Sequence, residues 1–459
     1  MLDSAAVAAG TGGDARQPER WGSRFGFVLA TAGSAVGLGN IWRFPSAAAE
    51  NGGGAFVALF LLVILVVGVP GLMAEVGLGR RAGRNALDAF LAVRPGTPWV
   101  VAGALALLAS FLVLSYYAVI AGWVLAYVFK ALSGALRGLE VPALRETYAD
   151  FVRHPWQPVA WQAGFLALTA MVVVGGVRRG IERWSRILMP GLVVLLAILA
   201  ARVLLLDGAW EGLVWLFRPH WEDVSGRAVL RAMGQVFFSF GLGMGVMITY
   251  GSYLDRGEDI HRSAVYVAAA DVGVALLAGA VVIPALFAFG LPIEGGAGLL
   301  FATLPAVLGQ TPFGDVLTVA FFVMVTIAAL TSAISLLEAL VAFMDQRLAI
   351  PRIVASLAAT AAVFLAGLPS ALAQGPWGIV IDGRDFLTVV DTLVSDVLLP
   401  LAGLLTALFV GWVWGVAPAL AELRQGAGWF PERLWSLSVR LVIPLTVGTI
   451  LVAGLLGVR

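Results

Sequence analysis

The sequence contains no cysteine, which excludes disulfides, thiolate metal sites and thiol nucleophiles together. Charge is scarce: Asp, Glu, Lys and Arg make up 12% of the chain, against about 25% in a soluble domain. A net charge of +1 removes any bulk electrostatic attraction to nucleic acid. Only three histidines occur, His154, His220 and His261. All three fall in polar connecting stretches, and a metal centre built from them is not expected. No nucleophile–base pair, metal cluster or cofactor motif falls within the apolar runs, so an enzyme is not expected either.

Apolar residues dominate instead. Hydrophobic residues make up 60% of the 459, and the mean hydropathy is +0.94. A chain this apolar cannot cover a water-facing surface, so lipid must be the solvent for most of it. The fold class expected is all-α and membrane-spanning.

Runs long enough to span a bilayer fall at about 24–49, 55–78, 99–132, 159–177, 185–206, 229–254, 263–289, 313–348, 353–368, 386–413 and 434–458. Eleven spans put the two termini on opposite sides. With the N-terminus inside, 18 of the 29 Lys+Arg fall in inner segments, and most of the others lie in the two longest loops, where the bias counts less. The N-terminus is therefore expected in the cytoplasm. Residues 1–19 read as a flexible tail, and 20–459 as one membrane-spanning domain. Ala47-Ala48-Ala49 follows an apolar stretch, but Arg43 and Pro45 intervene, so the first segment is expected to be retained rather than cleaved.

Two spans look broken. The first contains Gly33-Ser34-Ala35-Val36-Gly37-Leu38-Gly39-Asn40, and the sixth contains Ser239-Phe240-Gly241-Leu242-Gly243-Met244-Gly245. Each glycine costs about 1 kcal/mol relative to alanine in a helix interior. Unwound backbone at this depth must line a cavity or bind something. Close packing of small residues is the other reading of either segment alone. The breaks recur at the same place in two consecutive five-helix sets, 20–210 and 225–415, and this pairing points to an inverted-repeat transporter.

Charged groups within spans are costly and mark function. Asp271 has no Lys or Arg within one turn, so its carboxylate needs a cation or a proton. Glu75 and Glu338 read as structural, bonded to backbone or buried water. Thr331, Ser332 and Ser335 sit in the eighth span, where hydroxyls either bond back to the helix or ligate a hard cation.

Three stretches carry a family resemblance: Trp21-Gly22-Ser23-Arg24, Ala35-Val36-Gly37-Leu38-Gly39-Asn40-Ile41-Trp42-Arg43-Phe44-Pro45, and Glu50-Asn51-Gly52-Gly53-Gly54-Ala55-Phe56. Together they resemble the first helix of the neurotransmitter:sodium symporters, most closely bacterial members with eleven helices. The resemblance implies the LeuT fold, with helices 1–5 and 6–10 as inverted repeats and an eleventh helix at 434–458. It also implies a bacterial inner membrane location, two sodium ions and one amino acid at mid-membrane. The first sodium site would use the Ala35 carbonyl, Asn40, Ser239 and Asp271. The second would use carbonyls of Gly33, Val36 and Ala328 with the hydroxyls of Thr331 and Ser332. Ala35, Leu38, Gly39, Val113, Tyr117, Phe238, Gly241, Met244, Ser332 and Leu336 would surround the substrate. Arg43 and Asp391 would form an outer gate above a lid of Tyr117 and Phe238.

Several positions depart from the family pattern. Asp271 replaces a common asparagine. Phe60 and Ala275 replace polar residues of the chloride site, so no chloride is expected. Gly241 replaces a common serine, which leaves room for a bulkier hydrophobic or aromatic amino acid. Gln346 replaces the usual inner-gate acid, with Asp345 adjacent and Arg16 or Arg20 as the partner. Gly180 and Pro190 flank nine residues, a spacing that relatives use to unwind the inner end of the fifth helix. The expected function is sodium-coupled amino-acid symport by alternating access. A proton-coupled or uncoupled permease and a non-transporting sensor are the rival readings.

Overall fold

The computed structural model describes residues 19–291 and 296–456. Residues 1–18, which include Arg16 and nearly all of the expected tail, lie outside that range. Among the described residues nine helices are long and apolar enough to cross a membrane, at Gly54–Ala82, Val100–Leu132, Gln157–Val174, Val177–Val203, Ile260–Ala288, Gly314–Arg347, Arg352–Ala371, Phe386–Leu423 and Glu432–Leu455. A tenth span is made by Arg24–Ala35 and Gly39–Glu50, bent by 56° at their junction. The expected sixth span is divided into Gly226–Ser239 and Val246–Ser252, neither of which could cross alone. Apolar side chains such as Leu65, Met171, Ile187, Leu365 and Leu445 point outward, as lipid requires.

The connections hold more helix than hydropathy foretold. Ala86–Val93, Val141–Arg153, Ala209–Phe217 and Leu299–Gly309 are short helices between spans. Asn85 caps the first of these by accepting from the amides of Leu87 and Asp88, both at 3.1 Å. Val380–Ile381 pairs antiparallel with Arg384–Asp385. Asp382 and Gly383 turn between them at φ 50° and 76°, the paired positive values of a tight hairpin turn. His261 lies in the seventh helix rather than in a connecting stretch.

The glycines of the two breaks do different work. In the sixth segment Gly241, Gly243 and Gly245 have φ of 62°, 76° and 71°, a region that strains any side chain with a Cβ. In the first segment Gly33, Gly37 and Gly39 keep negative φ. There the need is space: a Cβ on Gly37 would lie 2.8 Å from Ser332 Oγ.

Long helices surround the breaks. The third (Val100–Leu132) and eighth (Gly314–Arg347) pack along each other, and the first helix packs against the fifth, seventh and eighth. At about 1.5 Å per residue, the 33 and 34 residues of the third and eighth helices exceed the thickness of a bilayer. The first broken segment packs directly against the eighth helix.

Candidate functional site

The first break begins where Val36 turns extended after Ala35 and the helix resumes at Gly39. The sixth segment stops at Ser239 and resumes at Val246. The two breaks meet across Asp271 of the seventh helix. Ser239 Oγ donates to Asp271 Oδ1 at 2.5 Å and lies 3.2 Å from the Ala35 carbonyl. Asn40 Nδ2 donates to the same Asp271 oxygen at 2.7 Å. Ala35, Asn40, Ser239 and Asp271 are all buried, and Asp271 Oδ2 has no hydrogen-bond partner among the described residues. The expected first sodium set is thus assembled from three helices. A buried carboxylate with an unpartnered oxygen needs a positive charge or a proton to offset its desolvation.

The second set assembles between the first and eighth helices. Ser332 Oγ lies 3.4 Å from the carbonyl of Gly33, 3.2 Å from that of Ser34 and 3.3 Å from that of Val36. Thr331 Oγ1 lies 3.1 Å from the Ala328 carbonyl and 3.2 Å from that of Ile327. Both hydroxyls therefore bond to backbone carbonyls, and the oxygens gathered here are of the kind that a hard cation prefers. A Cβ on Gly33 would meet Thr331 Cβ at 3.1 Å and Met189 Cγ at 3.3 Å. Met189 precedes Pro190, so the fifth helix abuts this set.

Between the two sets lies a cavity of about 30 Å³, room for roughly one water. Its lining includes Ala35, Gly39, Val113, Tyr117, Phe238, Gly241, Met244, Ser332 and Leu336, nine of the ten residues expected around the substrate. The tenth, Leu38, donates its amide to Tyr117 Oη at 3.5 Å. A second cavity of about 310 Å³ contains Arg43 and Asp391 in its lining. Phe238 borders both cavities and carries Arg43 Cζ 5.5 Å from its ring centroid. Arg43, Asp391 and Phe238 thus share one cavity, but Arg43 and Asp391 do not pair in this structure. Asp391 Oδ1 accepts from Ser395 Oγ at 3.2 Å.

Freed backbone groups of the sixth segment find partners on neighbouring helices. Glu75 Oε1 accepts from the Gly243 amide at 2.8 Å, as the reading of a backbone-bonded acid expected. Ser110 Oγ donates to the Met244 carbonyl at 2.5 Å. Ser110 was not anticipated, because one serine in an apolar helix gives no signal until its neighbour is known.

Other expectations are corrected on the N-terminal side. Glu338 is held by side chains rather than by the backbone: it pairs with Arg352 Nη2 at 2.5 Å and accepts from Tyr253 Oη at 2.7 Å. Arg20 pairs with Asp255, and Arg16, the other partner expected for the inner gate, lies outside the described residues. Gln346 Oε1 accepts from the Asn85 amide at 2.6 Å. Arg80 and Glu422, both buried, pair at 2.8 Å across 342 residues of sequence, a contact that local sequence could not announce. The inner end of the fifth helix is wound, with wide turns at Val177–Glu182 leading into Arg183–Val203.

Comparison with known proteins agrees with this architecture. The crystal structure of MhsT in complex with L-phenylalanine superposes with a TM-score of 0.88 at 41% identity, covering 95% of this chain and 100% of that one. This establishes the LeuT fold. An uncharacterized sodium-dependent transporter of Bacillus subtilis, YhdH, is 41% identical, with 96% of this chain and 99% of the relative aligned. An uncharacterized sodium-dependent transporter of Haemophilus influenzae is 32% identical over the same share of each. The sequence profile of the sodium:neurotransmitter symporter family matches residues 18–141 and 154–459. With broken helices, buried oxygen-donor sets and these relatives in agreement, this chain belongs to the sodium:neurotransmitter symporter family, whose members are sodium-dependent secondary transporters and not enzymes.

Proposed function

We propose that this protein imports a hydrophobic or aromatic amino acid with two sodium ions and without chloride, by alternating access. The observation that carries this reading is the unpartnered Asp271 Oδ2 beside the substrate cavity. A sodium ion there would touch Ala35 O, the Asn40 amide oxygen, Ser239 Oγ, Asp271 and the substrate carboxylate. Coupling is then a shared contact, since each ligand offsets the charge of the other. The second ion would occupy the set of Gly33, Val36, Ala328, Thr331 and Ser332.

The pocket wall supports an apolar side chain. Val113, Phe238, Met244 and Leu336 line it, and Gly241 presents no side chain. A Cβ there would have nothing closer than Met247 Cε at 3.7 Å. A relative crystallised with L-phenylalanine fits the same class. The 30 Å³ cavity is too small for any amino acid, so binding requires Phe238, Met244 and Leu336 to move outward from the present arrangement. Substrate would approach through the larger cavity at Arg43 and Asp391.

Chloride independence rests on what replaces the anion site. Phe60 is buried, with its ring centroid 4.9 Å from that of Phe44. Ala275 is also buried, so neither position offers an anion a polar contact. The Asp271 carboxylate supplies the negative charge instead. The arginine bias supports a cytoplasmic N-terminus and a C-terminus on the opposite side, and the likeness to bacterial members supports a bacterial inner membrane.

The test is uptake into proteoliposomes, screening the amino acids under an inward sodium gradient and an equal choline gradient. Sodium-driven accumulation of one apolar class, unchanged when gluconate replaces chloride, is the expected result. Uptake indifferent to sodium but responsive to pH would make this a proton-coupled permease. Binding without uptake would make it a sensor.

A further inference from the structure

We propose that the face carrying the N-terminus has a binding site for the headgroup phosphate of an anionic phospholipid, formed by Arg24 and Arg262 around the ring of Tyr266. Arg24 Cζ lies 5.8 Å, and Arg262 Cζ 5.7 Å, from the centroid of that ring. Arg262 Nε also donates to Tyr266 Oη at 3.1 Å. One aromatic ring therefore gathers two guanidinium groups from different helices.

The carboxylates nearby are occupied elsewhere. Asp259 Oδ1 accepts from the Arg262 backbone amide at 2.9 Å as a helix cap, and Asp259 Oδ2 lies 3.5 Å from the Gly428 amide. Glu182 accepts from the Gly22 amide at 2.7 Å, from Ser23 Oγ at 3.0 Å and from Arg186 Nη2 at 2.5 Å. Asp255 pairs with Arg20. Nε and Nη2 of Arg24 are buried and find no acceptor among the described residues. A charged donor withdrawn from water without an acceptor is unfavourable, and the face of an aromatic ring offsets only part of that cost. An anion arriving from outside the protein would complete the site.

Position and surroundings identify the anion's carrier. Arg24 is the first residue of the first helix, and Arg262 is the third of the seventh, so both sit at the membrane boundary. Phe25 and Ile187 are about 60% exposed (63% and 59%), and Val265 and Tyr266 are also exposed. Acyl chains would cover these side chains when the phosphate sits between the guanidiniums. Arginine matches phosphate oxygens with paired donors, and basic pockets between membrane helices take phosphate headgroups at this level. Free phosphate shares the headgroup chemistry but would leave the apolar flank uncovered.

The test is native mass spectrometry of the full chain in detergent, titrated with phosphatidylglycerol or phosphatidylcholine, with melting temperatures followed in parallel. Phosphatidylglycerol should bind and raise the melting temperature, while phosphatidylcholine should do neither. The double substitution Arg24→Gln/Arg262→Gln should weaken phosphatidylglycerol at least fivefold. Wild-type affinity in the double variant overturns the proposal, and so does equal stabilisation by inorganic phosphate. Arg262→Gln alone changes an exposed side chain and keeps the test decisive if the double variant does not fold. Unaltered phosphatidylglycerol affinity in that single variant overturns the proposal equally.

Discussion

Ser239 Oγ donates to Asp271 Oδ1 at 2.5 Å, joining the last helical residue before the sixth segment's break to the middle of an unbroken helix. Asn40, beyond the break of the first segment, donates to the same oxygen. One carboxylate oxygen thus ties both broken segments together, while the other is free for a ligand.

Asp271→Asn keeps an acceptor for Ser239 but removes the charge. The half-saturating sodium concentration for uptake should rise at least tenfold, about 1.4 kcal/mol of lost binding, with little change in melting temperature. A sodium titration indistinguishable from wild type would remove Asp271 from the ion site.

Thr331→Ala combined with Ser332→Ala removes two hydroxyls that face the Gly33, Val36 and Ala328 carbonyls. Sodium dependence should weaken more than folding does, because both hydroxyls are small and the helix keeps its own backbone bonds. Sodium-titrated substrate binding checks this. An unchanged sodium response would remove the second site from these residues.

Glu75 holds the Gly243 amide in the unwound sixth segment. Glu75→Gln keeps an acceptor oxygen at that position, whereas Glu75→Ala leaves a buried amide unpaired at a cost of about 1–3 kcal/mol. The alanine variant should melt lower and transport less than the glutamine variant. Equal melting temperatures and equal uptake in the two variants would show that the bond does not support the break.

Gly79 lies where the second helix crosses the end of the sixth. A Cβ there would sit 1.9 Å from the Ile248 carbonyl oxygen, and backbone cannot rotate aside as a side chain can. Gly79→Ala should force the helices apart and destabilise by about 1–3 kcal/mol, read as a lowered melting temperature. Gly164→Ala, inside the helix Gln157–Val174 with open space around it, is the matched control and should melt at or slightly above the wild-type temperature, since alanine is the better helix former.

The spans were legible because hydropathy is a local property and lipid demands it continuously along each helix. The breaks were legible because glycine-rich stretches recur at the same place in two consecutive five-helix sets, a pairing that close packing of small residues does not require. Nine of the ten expected pocket residues line the cavity; only Ala35 and Gly39 lie within the motif that carried the resemblance, and the other seven were placed by the family's pattern on later helices. The short helices in the connections were missed because their apolar runs are too brief to stand out. Ser110 was missed because its partner is a carbonyl 134 residues away.

The sequence alone determined that this chain lives in lipid, that its first and sixth helices are interrupted, and which family it resembles. Only the tertiary structure decided which charges meet. Glu338 finds Arg352, Arg80 finds Glu422 and Arg20 finds Asp255, each against or beyond the sequence reading. It also separated the glycines that supply positive φ in the sixth segment from those that supply space in the first. Composition and hydropathy act along the chain, whereas ion pairing and close approach depend on distances between helices that only packing sets.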